Sequence, residues 1–305
     1  KRFLGLGPDP AETRRVLRET GGQFNTPGGV VGSRWRKSDD SASRHLSDRP
    51  GKWTPIGVGP QLMDHVTGVG LINLASILDP ANPLSKNVIQ APPGFDVSYF
   101  GMNSNEPPFD DVKVRQALNY AVDKAALSSV LLEDLVVPAN GILPPALPGF
   151  TPDIQGYKFN PGKARQLLSE SKYGDNLEDF PRVVLTLPGS FGASVGPVIE
   201  AIVQMWRVNL DIEIEILQTE WAIFLKDLHQ ERFQMFGGLS WSADYPDPEN
   251  FLDGLFHSES SNNNTKYSNL EVDALLEQAR VEQDQDLRFE TYHRVEQMIM
   301  DDAPW

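Results

Sequence analysis

Phe236-Gly-Gly-Leu-Ser-Trp-Ser-Ala-Asp-Tyr-Pro-Asp-Pro-Glu-Asn-Phe-Leu252 joins an apolar, glycine-containing run to a Trp, an Asp three residues later and two prolines. Each proline lacks an N–H and restricts the residue before it, so Tyr245-Pro246-Asp247-Pro248 continues neither a helix nor a central strand. Trp241 and Asp244 are therefore expected on irregular backbone just beyond a strand. In open α/β sheets, ligands collect outside the carboxyl ends of strands. An indole wall beside a carboxylate suits an organic cation, through stacking and charge-assisted hydrogen bonds. A core Trp followed by an Asp that only forms a turn would give the same spacing, which leaves both readings open.

Working outward, Phe233 to Leu239 reads as the strand that feeds this turn. Glu220 to Leu228 before it reads as a helix with Trp221, Phe224, Leu225 and Leu228 on one side. Asp211 to Leu217 alternates Ile with acidic residues, which predicts a strand with a buried Ile face. Pro197 to Trp206 reads as a helix and Arg182 to Leu187 as a strand. Strand–helix–strand–helix–strand is an α/β unit.

Further upstream, Asn160-Pro161 is a helix cap followed by a first-position proline. Pro107-Pro108-Phe109-Asp110-Asp111 opens another helix, with Asp110 able to accept its orphan N–H groups. Val114, Ala117, Leu118, Ala121, Val122 and Ala125 would form its core stripe. Phe95 to Asn103 is strand-like. Downstream, Ser268-Asn269-Leu270-Glu271 has capping-box spacing. A last helix is predicted from Asp286 to Met300, with Phe289, Tyr292, Val295 and Met298 inward.

The chain has 305 residues, room for two domains, and no cysteine, which excludes disulfides and thiolate chemistry. No apolar run is long enough to span a membrane. Lys1 to Pro8 is too short and too broken by Gly and Pro for a signal-peptide core. The net charge of −15 argues against nucleic acid or an anionic membrane as the main partner. Residues 1–64 hold 11 basic against 7 acidic side chains, and the rest hold 16 against 35, so a boundary is expected near residue 64. Before it, Pro10 to Thr20 reads as a short helix, followed by Gly-, Pro- and Ser-rich sequence that predicts irregular chain. The short tract Arg34-Trp35-Arg36-Lys37 is too small to overturn the expectation of no nucleic acid.

Motifs for catalysis are absent: there is no G-x-S-x-G, H-E-x-x-H, Walker loop or dinucleotide fingerprint. His45, His65, His229, His257 and His293 follow no zinc spacing. Asp244, Asp247, Glu249 and Asp253 have the donor chemistry for a hard cation or an acid/base pair. A turn with one ligand-binding Asp is the more economical reading. The expectation is thus a non-enzyme with neither metal nor cofactor.

Four tracts carry a family resemblance: W-S-A-D-Y-P-D-P-x-N-F-L around Trp241 and Asp244, P-P-F-D-D-V-x-V-R-Q-A-L-N-Y-A-V-D from Pro107, Gly156 to Ala164, and Phe100-Gly-Met-Asn103. Together they resemble the peptide/nickel/oligopeptide class of solute-binding proteins that feed ABC importers. The resemblance begins near Asp64 and runs to the end of the chain. It implies an α/β, periplasmic-binding-protein-like type II fold, mainly lobe II with a remnant of lobe I. The implied division is 1–63 outside the family and irregular, 64–101 a lobe I remnant with the crossover strand, and 102–305 lobe II. The expectation is a truncated or mis-framed gene product.

The implied ligand-binding set is Asp244, Trp241, Trp221, Tyr245 and Asn103. Asp244 would take a ligand ammonium group and Trp241 would line the pocket. Trp221 reads equally as a helix-face core residue, and Asn103 as a loop cap. Where peptide-binding relatives place arginines for a ligand carboxylate, this chain has His229 and Gly238, which leaves longer peptides and non-peptides open. The implied partners are a peptide or other small cationic solute and a membrane permease. The implied state is a monomer, periplasmic or extracellular, binding weakly because most of lobe I is missing. Two other classes stay open: a hydrolase built on Asp244, Asp247 and Glu249, and a protein-interaction domain without a small ligand.

Overall fold

The structure is a computed structural model that describes residues 4–6, 35–37, 53–55, 76–83, 85–90, 93–174, 180–189 and 194–305. The chain divides into two compact units, Arg2–Pro93 and Gly94–Trp305. In the first, β1 (Leu4–Leu6) pairs antiparallel with β4 (Val88–Gln90), and β2 (Trp35–Lys37) with β3 (Trp53–Pro55). The helix expected over Pro10 to Thr20 lies outside the described residues, as does the stretch from Asp64 to Ala75 where the resemblance starts.

The second unit is built on a four-stranded sheet. Its strands are β5 (Asp96–Met102), β6 (Val183–Pro188), β7 (Ile214–Thr219) and β8 (Met235–Ser242), in the order β5-β8-β6-β7. β6 runs parallel to both β7 and β8, as the alternation of elements predicts, and β5 is antiparallel at one edge. The helices between them are α1 (Val112–Tyr120), α2 (Pro161–Ser169), α3 (Pro197–Leu210) and α4 (Trp221–His229). After β8 come α5 (Glu249–Phe256), α6 (Leu270–Val281) and α7 (Gln285–Asp302).

Three apolar clusters hold these layers together. α1, α2 and α3 cover one part of the sheet through Phe109, Leu118, Leu168, Leu185 and Trp206. α4 packs through Phe224 and Leu228 onto Phe233 and Phe236. α5, α6 and α7 gather around Phe251, Phe256, Leu276, Tyr292 and Val97.

Local chemistry explains the boundaries and displaces some expectations by a residue. Asn160 caps α2, its side chain accepting from Lys163 N at 2.9 Å, with Pro161 at the first position. The cap of α1 is Asp111, which accepts from Lys113 N at 2.8 Å. Asp110 instead takes Lys172 Nζ and the Tyr173 hydroxyl. α1 ends at Tyr120, so Ala125 falls on a separate helical turn and is exposed, while Val114 to Val122 are buried as the stripe predicts. Asn269, one residue beyond Ser268, caps α6 by accepting from Glu271 N and Val272 N.

β8 is longer than predicted and takes in Trp241, which pairs with Val97. The prediction placed Trp241 beyond the strand. The ladder continues because β5 runs alongside as far as Asp96↔Ser242.

Candidate functional site

β6, β7 and β8 are parallel, so Pro188, Thr219 and Ser242 end at one edge of the sheet, and antiparallel β5 begins there at Asp96. This is the edge where α/β proteins assemble ligand sites, because the strand ends and helix starts leave a crevice. A β-bulge shapes it. The register passes from Tyr99↔Leu239 to Gly101↔Phe236, which leaves the extra residue at Gly237/Gly238, and Gly238 has φ +72°. Pairing of β8 with β6 among the described residues is Leu185↔Met235 and Thr186↔Phe236, whereas pairing with β5 continues to Ser242. Beyond the bulge β8 thus follows β5 and parts from β6.

The chain leaves the ladder at Ala243, whose N–H donates to Phe95 O at 2.8 Å. Trp241 is half-buried, and its indole Nε1 donates to Asn250 Oδ1 at 3.0 Å. The same oxygen accepts from Asp244 N at 3.2 Å. Asp244 is exposed, and its carboxylate has no partner among the described residues. Tyr245 is exposed beside it and donates its hydroxyl to Glu249. That bond to a carboxylate, together with burial, pushes the Tyr245 phenol above its ordinary pKa.

The other acids of the cluster are already engaged. Asp247 forms a two-pronged pair with Arg288 of α7, 2.8 Å at each contact, and its side chain also accepts from Glu249 N at 2.9 Å. Burial pushes the Asp247 carboxyl up, but Arg288 and the Glu249 N–H outweigh it and hold it below the usual range. Asp253, with a buried side chain, is held by Arg280 of α6 at 2.6 and 2.7 Å. Neither Asp247 nor Asp253 is a free acid, base or cation ligand. Among the described residues no group of three or more His, Cys, Asp or Glu is placed to hold a metal ion.

Of the five residues predicted from sequence, Trp241, Asp244 and Tyr245 come together. Trp221 opens α4 just after β7, which is two strands over from β8 in the sheet order. It is 46% exposed and stacks on Phe224 with ring centroids 6.1 Å apart, so it is not a core residue. Asn103 is elsewhere. It follows the far end of β5, where its N–H donates to Gln234 O, its Nδ2 to Phe233 O at 3.3 Å, and its Oδ1 accepts from Asn105 N at 3.1 Å. Trp241 is six residues further along β8 than Met235, about 20 Å away. The buried Asn103 is thus a loop cap at the opposite end of the sheet.

His229, at the end of α4, shares a hydrogen bond with Leu225 O of its own helix, and Gly238 is the bulge residue. Asn250 is the component that sequence reading missed. Its place in W-S-A-D-Y-P-D-P-x-N was the available signal.

A separate cavity of about 370 Å³ lies at the far end of α5, lined by Asp253, His257, Glu259, Ser260, Glu277 and Arg280. None of the five predicted residues lines it.

Comparison with known proteins bears on the family and the fold. Residues 66–263 match the model of bacterial extracellular solute-binding proteins, family 5, middle region. The chain is 33% identical over 218 residues to heme-binding protein A of Haemophilus influenzae, covering 70% of this chain and 39% of that protein. It is 30% identical over 217 residues to the dipeptide-binding protein of Escherichia coli, covering 70% of this chain and 40% of that one. The crystal structure of a dipeptide-binding protein from Pseudoalteromonas sp. SM9913 in complex with Met-Leu superposes with a TM-score of 0.59 at 27% identity, over 69% of this chain and 42% of that one. The chain thus spans about two fifths of the length of the relatives it matches. These relatives are binding proteins rather than enzymes, and their periplasmic-binding-protein fold is the one seen here. With the family model covering well over half of it, the chain belongs to the bacterial extracellular solute-binding proteins of family 5.

Proposed function

We propose that these residues are part of the substrate-binding component of an ABC importer, which holds a peptide or similar cationic solute between two lobes and delivers it to a membrane permease. The observation that carries the reading is the Asp244 carboxylate, exposed and without a partner among the described residues, one turn from the half-buried Trp241. Its neighbours Asp247 and Asp253 are neutralised by arginines and Glu249 accepts from the Tyr245 hydroxyl, which leaves Asp244 as the acid of the cluster with no partner among the described residues, able to meet a ligand ammonium group. The names of the relatives, which include dipeptide-binding proteins, support a peptide, and the heme-binding one widens the ligand class. The protein works as a monomer in the periplasm or at the outer cell surface. The 305 residues alone bind weakly, because a clamp of two lobes covers a ligand from both sides and this chain spans about two fifths of its relatives.

The test is a fluorescence and thermal-shift titration with short peptides, run in parallel with their N-acetylated forms and with Asp244→Asn. Saturable binding that is lost on acetylation and in the variant is expected. Equal binding of free and acetylated peptide, or none of either, refutes the reading for this chain.

A further inference from the structure

We infer that Asn250 is a positioning residue for the candidate site, one side-chain oxygen setting both the ring of Trp241 and the backbone that carries Asp244. The inference rests on the ligand-binding reading of those two residues. Asp244 N–H is the first donor after the chain leaves the β5–β8 ladder at Ala243. Two residues later Pro246 has no N–H, and Pro248 has none either, so this loop has few donors of its own with which to build a turn. Asp247 N bonds back to Tyr245 O at 2.9 Å, and the Asp244 N–H is taken by the Asn250 side chain. The indole N–H of Trp241 ends on the same oxygen, 3.0 Å away. A carbonyl oxygen has two lone pairs, so one amide side chain satisfies both donors.

Asn250 is itself firmly placed. It is 6% exposed in the first turn of α5, followed by Phe251 and Leu252, which are fully buried. Its N–H bonds to Asp247 O at 3.2 Å, and Asp247 is clamped by Arg288 of α7. The ring and the carboxylate are therefore set from the α5–α7 layer rather than by the exposed loop. Preorganisation of this kind raises affinity by removing the cost of ordering the site on binding.

The test uses the whole chain labelled with ¹⁵N, with the Trp241 indole signal assigned through Trp241→Phe. In the native chain the Trp241 indole proton and the Asp244 amide exchange slowly with solvent. In Asn250→Ala both speed up at least tenfold, while the Trp206 indole, bonded to Leu118 O, keeps its rate. Asn250→Asp, which retains the acceptor, restores the slow exchange. In a peptide titration Asn250→Ala weakens binding about tenfold with Asp244 still present, the scale of losing one or two hydrogen bonds. Where Asn250→Ala does not fold, Asn250→Leu, similar in volume and without an acceptor, takes its place.

Native-rate exchange of both protons in the acceptor-free variant overturns the proposal, as does fast exchange of the Trp241 indole proton in the native chain. If the native chain binds no peptide, the ligand reading fails, and the exchange comparison still decides the role of Asn250.

Discussion

Glu296 of α7 makes the stability of this protein depend on pH in an unusual direction. It is 1% exposed. Its Oε1 accepts from Ile142 N at 2.7 Å and Leu143 N at 2.9 Å, pinning the loop between α1 and α2 to α7. Its Oε2 is buried and has no partner among the described residues. Burial pushes the carboxyl from 4.5 up to about 7, and the two N–H bonds only partly oppose it. Between these values the folded chain holds a proton that the unfolded chain has released, so the folded state is favoured at low pH. The contribution is fully present below about 4.5 and is lost as pH rises through about 7. At about 1.4 kcal/mol per pH unit, the loss is about 3 kcal/mol.

The perturbation is Glu296→Gln, which keeps the volume and the acceptor for Ile142 and Leu143 but cannot ionise. Urea unfolding of both proteins at steps from pH 4 to pH 8 gives the difference in stability, in which every other titrating group cancels. That difference should be flat below about pH 4.5 and move by about 3 kcal/mol in favour of the variant by pH 8. Whatever the new amide hydrogens cost is the same at every pH. Parallel stability curves for the two proteins would refute the reasoning.

Two further outcomes follow from the same accounting of buried groups. Arg280→Ala leaves the buried Asp253 carboxylate without its two-pronged partner and should cost about 2–3 kcal/mol by urea unfolding. This lies below the range for fully buried pairs because the Arg280 side chain is itself 45% exposed. Gly238→Ala should cost about 1–2 kcal/mol, since the residue sits at φ +72° and a Cβ there would meet Pro188 Cδ at 3.2 Å. An unchanged melting temperature for this variant would show that the bulge at the site does not need a glycine.

Much of the fold was legible because it is written in near neighbours. The Ile alternation before Leu217, the Asn160-Pro161 cap and the stripe from Val114 to Val122 each reflect contacts within a turn or two of the chain. The errors were of the same local kind. Asp110 and Ser268 were each one residue from the true cap, because adjacent polar residues compete for the same orphan N–H groups. The predicted inward face of α7 omits the buried Glu296, since nothing in a helical period marks a charged residue as buried.

By itself, the sequence determined the order and type of the strands from Phe95 onward and of most of the helices, though not α5, and the family through its motifs. It also singled out Trp241 and Asp244. Tertiary structure alone decided which of the candidate residues share a place. Antiparallel pairing of β5 with β8, some 140 residues apart, keeps Trp241 in the ladder and puts Asn103 at the opposite end of the sheet. Arg288 and Arg280 reach back 41 and 27 residues to neutralise Asp247 and Asp253, and with Glu249 taken by the nearby Tyr245 hydroxyl this leaves Asp244 as the acid without a partner among the described residues. Periodicity and capping depend on the identity and spacing of residues within a few turns of one another and can be read locally. Strand register and charge pairing depend on which distant segments the core brings together, and no local pattern carries that information.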